Sequence, residues 1–167
     1  MIINYDPVLG TDKKGRSIRC RVLSRDDRPA LLDFYQAFEP KAVYQGLPPV
    51  ADQIEPWIDS LLTQWINLGA FYQDRLIGHC ALDTIGEQAV SEYLIFVSPA
   101  FQDQGIGTAL TRYAMDLARS SQGHQVWLTV QNSNLRAIKV YRKVGFLFTG
   151  PFEEEREMTL LLDENNK

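Results

Sequence analysis

The stretch Val97-Ser98-Pro99-Ala100-Phe101-Gln102-Asp103-Gln104-Gly105-Ile106-Gly107-Thr108 joins two different periodicities. Before it, Tyr93-Leu94-Ile95-Phe96-Val97 is an unbroken apolar run, the pattern of a buried strand. After it, Ile106, Leu110, Tyr113, Ala114, Leu117 and Ala118 recur at helical spacing. The segment from Gln102 to Gly107 therefore turns a strand into a helix. Free backbone N–H groups and the positive end of the helix dipole meet at such a turn, which suits an anion such as a pyrophosphate. Gly105 and Gly107 let the backbone approach that anion with no Cβ in the way. A dinucleotide fingerprint requires a third glycine where Leu110 stands, and a P-loop requires Gly-Lys-Ser/Thr where Gly107-Thr108-Ala109 stands. Neither nucleotide motif is present.

Working outward, Ile18 to Val22 alternates as a strand, and Ser24-Arg25-Asp26-Asp27 is a helix-capping signal. Ala30, Leu31, Phe34, Tyr35 and Phe38 form one helical stripe. Ile54, Ile58, Leu61, Leu62, Trp65 and Leu68 form a second, ended by Gly69. Ala70 to Tyr72, a turn at Gln73-Asp74, and Arg75 to Leu82 read as a hairpin. Beyond the glycine loop come a strand over 124–130, a helix from Asn134, a strand at Phe146 to Phe148 and a last strand over 157–162. The order is βααβββαβαββ, an α/β fold with about seven strands in a mixed sheet and about four helices on its two faces. At 167 residues the expectation is one domain over 1–167, with 1–17 as a polar extension containing a loop or hairpin and 163–167 as a frayed tail.

Composition narrows the function. The net charge is −4 with no basic block, which argues against a nucleic-acid partner. No apolar run is long enough to span a membrane, and the first residues lack the features of a signal peptide. Cys20 and Cys80 stand alone in separate strands, the usage of a cytoplasmic protein with reduced thiols. His79 and Cys80 are adjacent in a strand and point to opposite faces, so they are poor co-ligands, and no metal site is expected.

A second motif follows the first. Asn134-Leu135-Arg136-Ala137-Ile138-Lys139-Val140-Tyr141-Arg142-Lys143-Val144-Gly145-Phe146 resembles the Asn-x-x-Ala-(x)3-Tyr-(x)3-Gly-Phe signature of the GNAT superfamily of acetyl-CoA-dependent N-acetyltransferases. Gln102-x-x-Gly105-x-Gly107 resembles the same family's pyrophosphate loop. Both stand in family order with a strand between them. The resemblance covers about Ile18 to Leu162 in layout and about Glu92 to Phe146 at motif level.

The resemblance implies acetyl-CoA as co-substrate, no metal, and a primary amine as acceptor, in a monomer or homodimer. The amine is a protein lysine or N-terminus, or a small molecule. It also implies that the central strands splay apart. Gln102, Asp103, Gln104, Gly105, Ile106, Gly107 and Thr108 would hold the pyrophosphate. The edge at Ile95, Phe96 and Val97 would hold the pantetheine arm and the thioester oxygen, with Asn134 and Ala137 beside it. Tyr141, on one helix face with Asn134 and Ala137, is both a candidate core aromatic and the candidate general acid. Glu92 is the candidate base, with Glu87 and Asp83 as rivals. Tyr35, Phe38, Glu39 and Tyr44, at the first helix–loop junction, are the candidate acceptor wall. One departure stands out: Asp103 and Gln104 occupy positions where family loops often carry Arg or Lys, which should cost cofactor affinity. The competing reading is a non-catalytic acyl-CoA-binding or interaction module on the same fold.

Overall fold

The computed structural model describes residues 8–38, 52–83 and 89–162. The strands are β1 (Val8–Thr11), β2 (Ser17–Val22), β3 (Trp65–Tyr72), β4 (Arg75–Asp83), β5 (Val90–Val97), β6 (Gln125–Gln131), β7 (Leu147–Phe148) and β8 (Glu155–Leu161). The helices are α1 (Arg28–Gln36), α2 (Ile54–Gln64), α3 (Ile106–Ser120) and α4 (Leu135–Val144). Among the described residues the strands form one mixed sheet, in the order β1-β2-β3-β4-β5-β6-β8-β7.

The mixed α/β layout expected from the sequence is present, with two differences. An additional strand, β1, pairs antiparallel with β2 from Val8↔Cys20 to Thr11↔Ser17. Val8 to Thr11 of the expected polar extension are therefore a sheet edge. The second helix also stops at Gln64, and Trp65 is already extended (φ −118°, ψ 153°). Trp65 and Leu68 fit the helical stripe by spacing alone. However, Trp65 to Tyr72 pairs along its whole length with β4, and its second half also pairs with β2. Two ladders of backbone hydrogen bonds outweigh a local periodicity.

Helices cover both faces of the sheet. Leu110, Ala114, Met115 and Leu117 of α3 pack with Leu68, Cys80, Leu82, Tyr93, Val126 and Met158 on one face. On the other, Leu31, Phe34 and Tyr35 of α1 and Ile54 and Ile58 of α2 pack with Phe71, Leu76 and Phe96. The start of α1 is set as the capping signal implies. Ser24 and Asp27 form a reciprocal capping box over a short 3-10 turn that leads into the helix.

The arrangement that shapes the site lies at mid-sheet. Strand β5 pairs with β4 from Gly78↔Val97 to Leu82↔Tyr93. With β6 it pairs in parallel only through Val90, Ser91 and Glu92. Strand β6 continues to Gln131, held there by β8. From Tyr93 onward the two strands part.

A buried polar chain ties α1 to the sheet. The Asn67 amide Nδ2 donates to the carbonyls of Leu61 (2.9 Å) and Trp65 (2.8 Å). Its Oδ1 therefore faces His79 Nε2 at 3.0 Å and accepts from it. That makes Nδ1 the acceptor, and the Tyr35 hydroxyl donates to it at 2.5 Å. His79 is fully buried, and burial lowers its pKa from 6.5 to about 3. The sign follows directly. Below pH 6.5 the unfolded chain takes up this proton and the folded one does not. Stability is then fully present above pH 6.5 and is lost as the pH falls toward 3. Urea denaturation should show this group removing about 2 kcal/mol between pH 7 and pH 5. In His79→Phe the same interval should be flatter by about that amount, whatever the variant's absolute stability.

Candidate functional site

The parting of β5 and β6 opens a cavity of about 560 Å³. The register shows what faces it. Ser98 N–H donates to Ile77 O at 2.8 Å, so Phe96 and Leu94, two and four residues back, also turn their backbone groups toward β4. The alternate residues Tyr93, Ile95 and Val97 turn theirs into the gap. The Val97 carbonyl there accepts from Gln102 Nε2 at 2.9 Å, which folds the glycine loop back onto the strand end.

The loop delivers α3 as the sequence motif requires. Gly105 is the N-cap at φ 90°, a left-handed conformation, with no side-chain cap on the helix. The first backbone bond into the helix is Ala109 N–H to Gly105 O at 3.0 Å. The N–H groups of Ile106, Gly107 and Thr108 precede it, so the helix supplies them no backbone acceptor. A Cβ at Gly107 would lie 3.7 Å from Val140 and from Val97. This part of the wall is close to both elements without crowding.

Helix α4 supplies the opposite wall. Asn134 is its N-cap, with Oδ1 accepting from Ala137 N–H at 3.2 Å. Asn134, Ala137 and Tyr141 all line the cavity. Tyr141 is 7% exposed, among Tyr93 and Phe146. Its hydroxyl makes no hydrogen bond to the described residues. Burial, then the nearby Cys80 thiol, raises its pKa well above the usual phenol value, so it keeps its proton.

Glu92 also lines the cavity, at the last β5–β6 pair. It is half-buried, and its pKa is raised first by burial and then by the charge of Asp83. Among the rival carboxylates, Asp83 ends β4 without lining the cavity. Glu87 lies outside the described residues.

Most of the sequence candidates converge here: Glu92, Ile95, Phe96, Val97, Gln102, Asp103, Gly105, Gly107, Thr108, Asn134, Ala137, Tyr141 and Phe38. Three do not line the cavity. The Ile106 side chain is 3% exposed in the core, so only its backbone is on offer. Gln104 uses its carbonyl to accept from Lys13 N–H at 3.2 Å. Tyr35 is fully buried on His79, edge-on to Trp57 and Phe96, so it stands behind the wall. Glu39 and Tyr44 lie outside the described residues.

Trp57 and the cations Lys13, Arg112, Arg136, Lys139 and Lys143 line the cavity as well, and the sequence reading passed over them. For α4 a signal existed: Arg136, Lys139 and Lys143 recur at helical spacing beside the Ala137–Tyr141 face. For Lys13, ninety residues before the loop it touches, there was none. Among the described residues no cluster of three or more His, Cys, Asp or Glu side chains could hold a metal.

The family model of the acetyltransferase (GNAT) family matches residues 28–146. The chain belongs to the GNAT acetyltransferase family. It is 37% identical to the N-alpha-acetyltransferase RimI of Mycobacterium tuberculosis over 86 residues, 50% of this chain and 52% of that protein. The chain spans about half or less of the length of the curated relatives it matches first. Among solved structures, the GNAT domain of Streptomyces lividans PAT superposes with a TM-score of 0.81, at 19% identity over 95% of this chain and 99% of that one. The structure of yncA from Salmonella typhimurium with its cofactor acetyl-CoA gives a TM-score of 0.70, at 20% identity over 90% of this chain and 96% of that one. These likenesses establish the fold. The gap between β5 and β6 is the splay the family resemblance implies.

Gly107 gives a direct test of the loop. Gly107→Ala adds a Cβ in ordinary contact distance and should fold and bind CoA nearly as the unaltered chain does. Gly107→Glu puts a carboxylate beside the start of α3, and if CoA's pyrophosphate binds there, calorimetry should show CoA affinity falling by about ten-fold or more.

Proposed function

We propose that this protein transfers the acetyl group of acetyl-CoA to a primary amine by direct attack in a ternary complex. The observation carrying this reading is the unpaired edge of β5. It presents the backbone groups of Tyr93, Ile95 and Val97 between an uncapped helix N-terminus and a buried, protonated tyrosine. The edge fits the amide-bearing pantetheine arm as an added pseudo-strand. The N-terminus of α3 fits the pyrophosphate. Acetyl-CoA supplies the activated thioester.

The chain's own groups then have distinct tasks. The N–H groups on the β5 edge donate to the thioester oxygen, where negative charge builds. Glu92 takes the proton from the ammonium, directly or through one water, and its raised pKa makes it a stronger base than an ordinary carboxylate. The N–C bond forms, the C–S bond breaks, and Tyr141 gives its proton to the departing sulfur. Direct attack is also supported by the cysteines. Cys20 and Cys80 are buried and free, and burial pushes the Cys20 thiol to about 11 and Cys80 higher still. Neither is a nucleophile at neutral pH. Buried thiols also fit a reducing cytoplasmic setting. The acceptor is an amine on a protein or a small molecule. The name of the Mycobacterium relative favours trying peptide N-termini early.

A thiol-release screen of peptides and small amines with acetyl-CoA tests the reading. CoA binding without turnover on any amine would move the protein to a binding role. With an acceptor in hand, Tyr141→Phe should keep the packing and lower kcat by about ten- to a thousand-fold with little change in KM for acetyl-CoA. The acid limb of kcat/KM should lie above the ordinary carboxylate range, because Glu92 loses its proton late. In Glu92→Gln that limb should disappear, and part of the activity should return at high pH, where more of the amine is already neutral.

A further inference from the structure

The glycine loop carries no cation of its own: Asp103 and Gln104 stand between Gln102 and Gly105. Two cations from distant parts of the chain meet it. Lys13 sits at the tip of the β1–β2 hairpin. Its backbone N–H donates to Gln104 O at 3.2 Å and its Nζ donates to Asp103 O at 3.0 Å. The tip is well built. Asp12 accepts from the N–H groups of Lys14 (2.9 Å) and Arg16 (3.0 Å) and from Arg16 Nε (2.7 Å). The Arg16 guanidinium then lies over the Phe101 ring, 4.2 Å from its centroid, just before the loop. Arg136, in the first turn of α4, approaches from the other side. Its Nη1 donates to Gln102 Oε1 at 2.5 Å, and its Nε pairs with Asp103 Oδ2 at 3.1 Å.

Both side chains line the cavity at the point where the N–H groups of α3 begin. The other lining cations stand further off. Arg112 is six residues into α3, about 9 Å along its axis. Lys139 and Lys143 follow Arg136 down α4 by about one and two turns. The Arg136–Asp103 pair is more than half exposed on both sides, so it is weak and readily exchanged.

We propose that Lys13 and Arg136 are the pyrophosphate-binding cations of this protein, replacing the basic side chains its glycine loop lacks. Asp103 competes with the phosphates for Arg136. The inference rests on the acetyl-CoA reading above and adds two residues its cofactor motifs do not specify: Arg136, at a variable position of the Asn134–Phe146 signature, and Lys13, from an N-terminal hairpin. It also gives β1 a purpose: without the hairpin, Lys13 has no fixed relation to the loop.

Isothermal calorimetry on Lys13→Gln, Arg136→Gln, Lys139→Gln and Asp103→Asn, with CoA, dephospho-CoA and pantetheine at low and high salt, tests the proposal. Lys13→Gln and Arg136→Gln should each lose about ten-fold in affinity at low salt for CoA and dephospho-CoA, both of which hold the pyrophosphate. The loss should shrink as salt screens the charges. Pantetheine, which has no phosphate, should bind all variants alike. Lys139→Gln should lose less, and Asp103→Asn should bind CoA more tightly at low salt. CoA binding in Lys13→Gln and Arg136→Gln equal to that of the unaltered chain overturns the proposal while leaving the acetyl-CoA reading intact. So does a loss confined to CoA and spared with dephospho-CoA, or an equal loss for pantetheine. Weaker CoA binding in Asp103→Asn overturns the competing role of Asp103. Failure of the unaltered chain to bind CoA overturns the acetyl-CoA reading itself.

Discussion

Strands β5 and β6 share a ladder for three residues, Val90 to Glu92, and then separate while each stays bonded to its other neighbour. The closed end is pinned by Ala89. Its backbone is left-handed (φ 52°), and its carbonyl accepts from the N–H groups of His124 (2.8 Å) and Gln125 (3.3 Å). The open end widens toward the carboxyl ends of both strands, where α3 and α4 begin. A row of backbone groups left unpaired inside a protein costs about 1–3 kcal/mol each when nothing polar meets them. The gap therefore has to be met by polar partners. Gln102 already meets one group, the Val97 carbonyl. The remaining groups give the cavity its directional character.

Parting two central strands requires the outer layers to hold the two halves of the sheet. On the α3 side this is done by apolar packing, with Leu110, Ala114 and Met115 fully buried. On the α1–α2 side it is done partly by polar bonds. Asn67 and His79 are each oriented by their partners, and the Tyr35 hydroxyl closes the chain. Tyr35 then meets Trp57 and Phe96 edge-on at 4.9 and 5.5 Å. Trp57, Phe96 and Phe38 line the cavity in turn. The aromatic wall is thus positioned in part by a neutral histidine, which also pairs with Phe96 across the β4–β5 ladder.

The order of elements was legible because helices and strands here carry clean periods, and because the glycine loop and the Asn134–Phe146 segment each place several chemical groups within a few residues. The end of α2 was not. Trp65 and Leu68 satisfy a helical stripe and a strand equally well, and only pairing with β4 decides. Strand β1 was missed because an edge strand needs little apolar signal. Tyr35 read as a wall residue because an aromatic on an amphipathic helix gives no sign of which neighbour it meets. Asp103 read as an unopposed acid. Its partner Arg136 is thirty-three residues away, and the meeting depends on α3 and α4 starting side by side.

The two groups proposed for proton transfer lie on opposite faces of β5. Side chains alternate along a strand, so Glu92 shares a face with Leu94 and Phe96, which pack toward α1 and α2. Tyr141 belongs to the cluster on the α3 and α4 side, with Tyr93 and Ile95. The proposed ternary complex would use this separation. In that complex the amine would lose its proton on the side from which it arrives, and the sulfur would gain one on the side to which it departs. A closed sheet would put a wall of backbone between them. With β5 and β6 apart from Tyr93 onward, Glu92 and Tyr141 both line the one cavity that the gap opens. On the proposed reading, the break in pairing that makes room for the pantetheine arm therefore also opens one cavity to both the base and the acid.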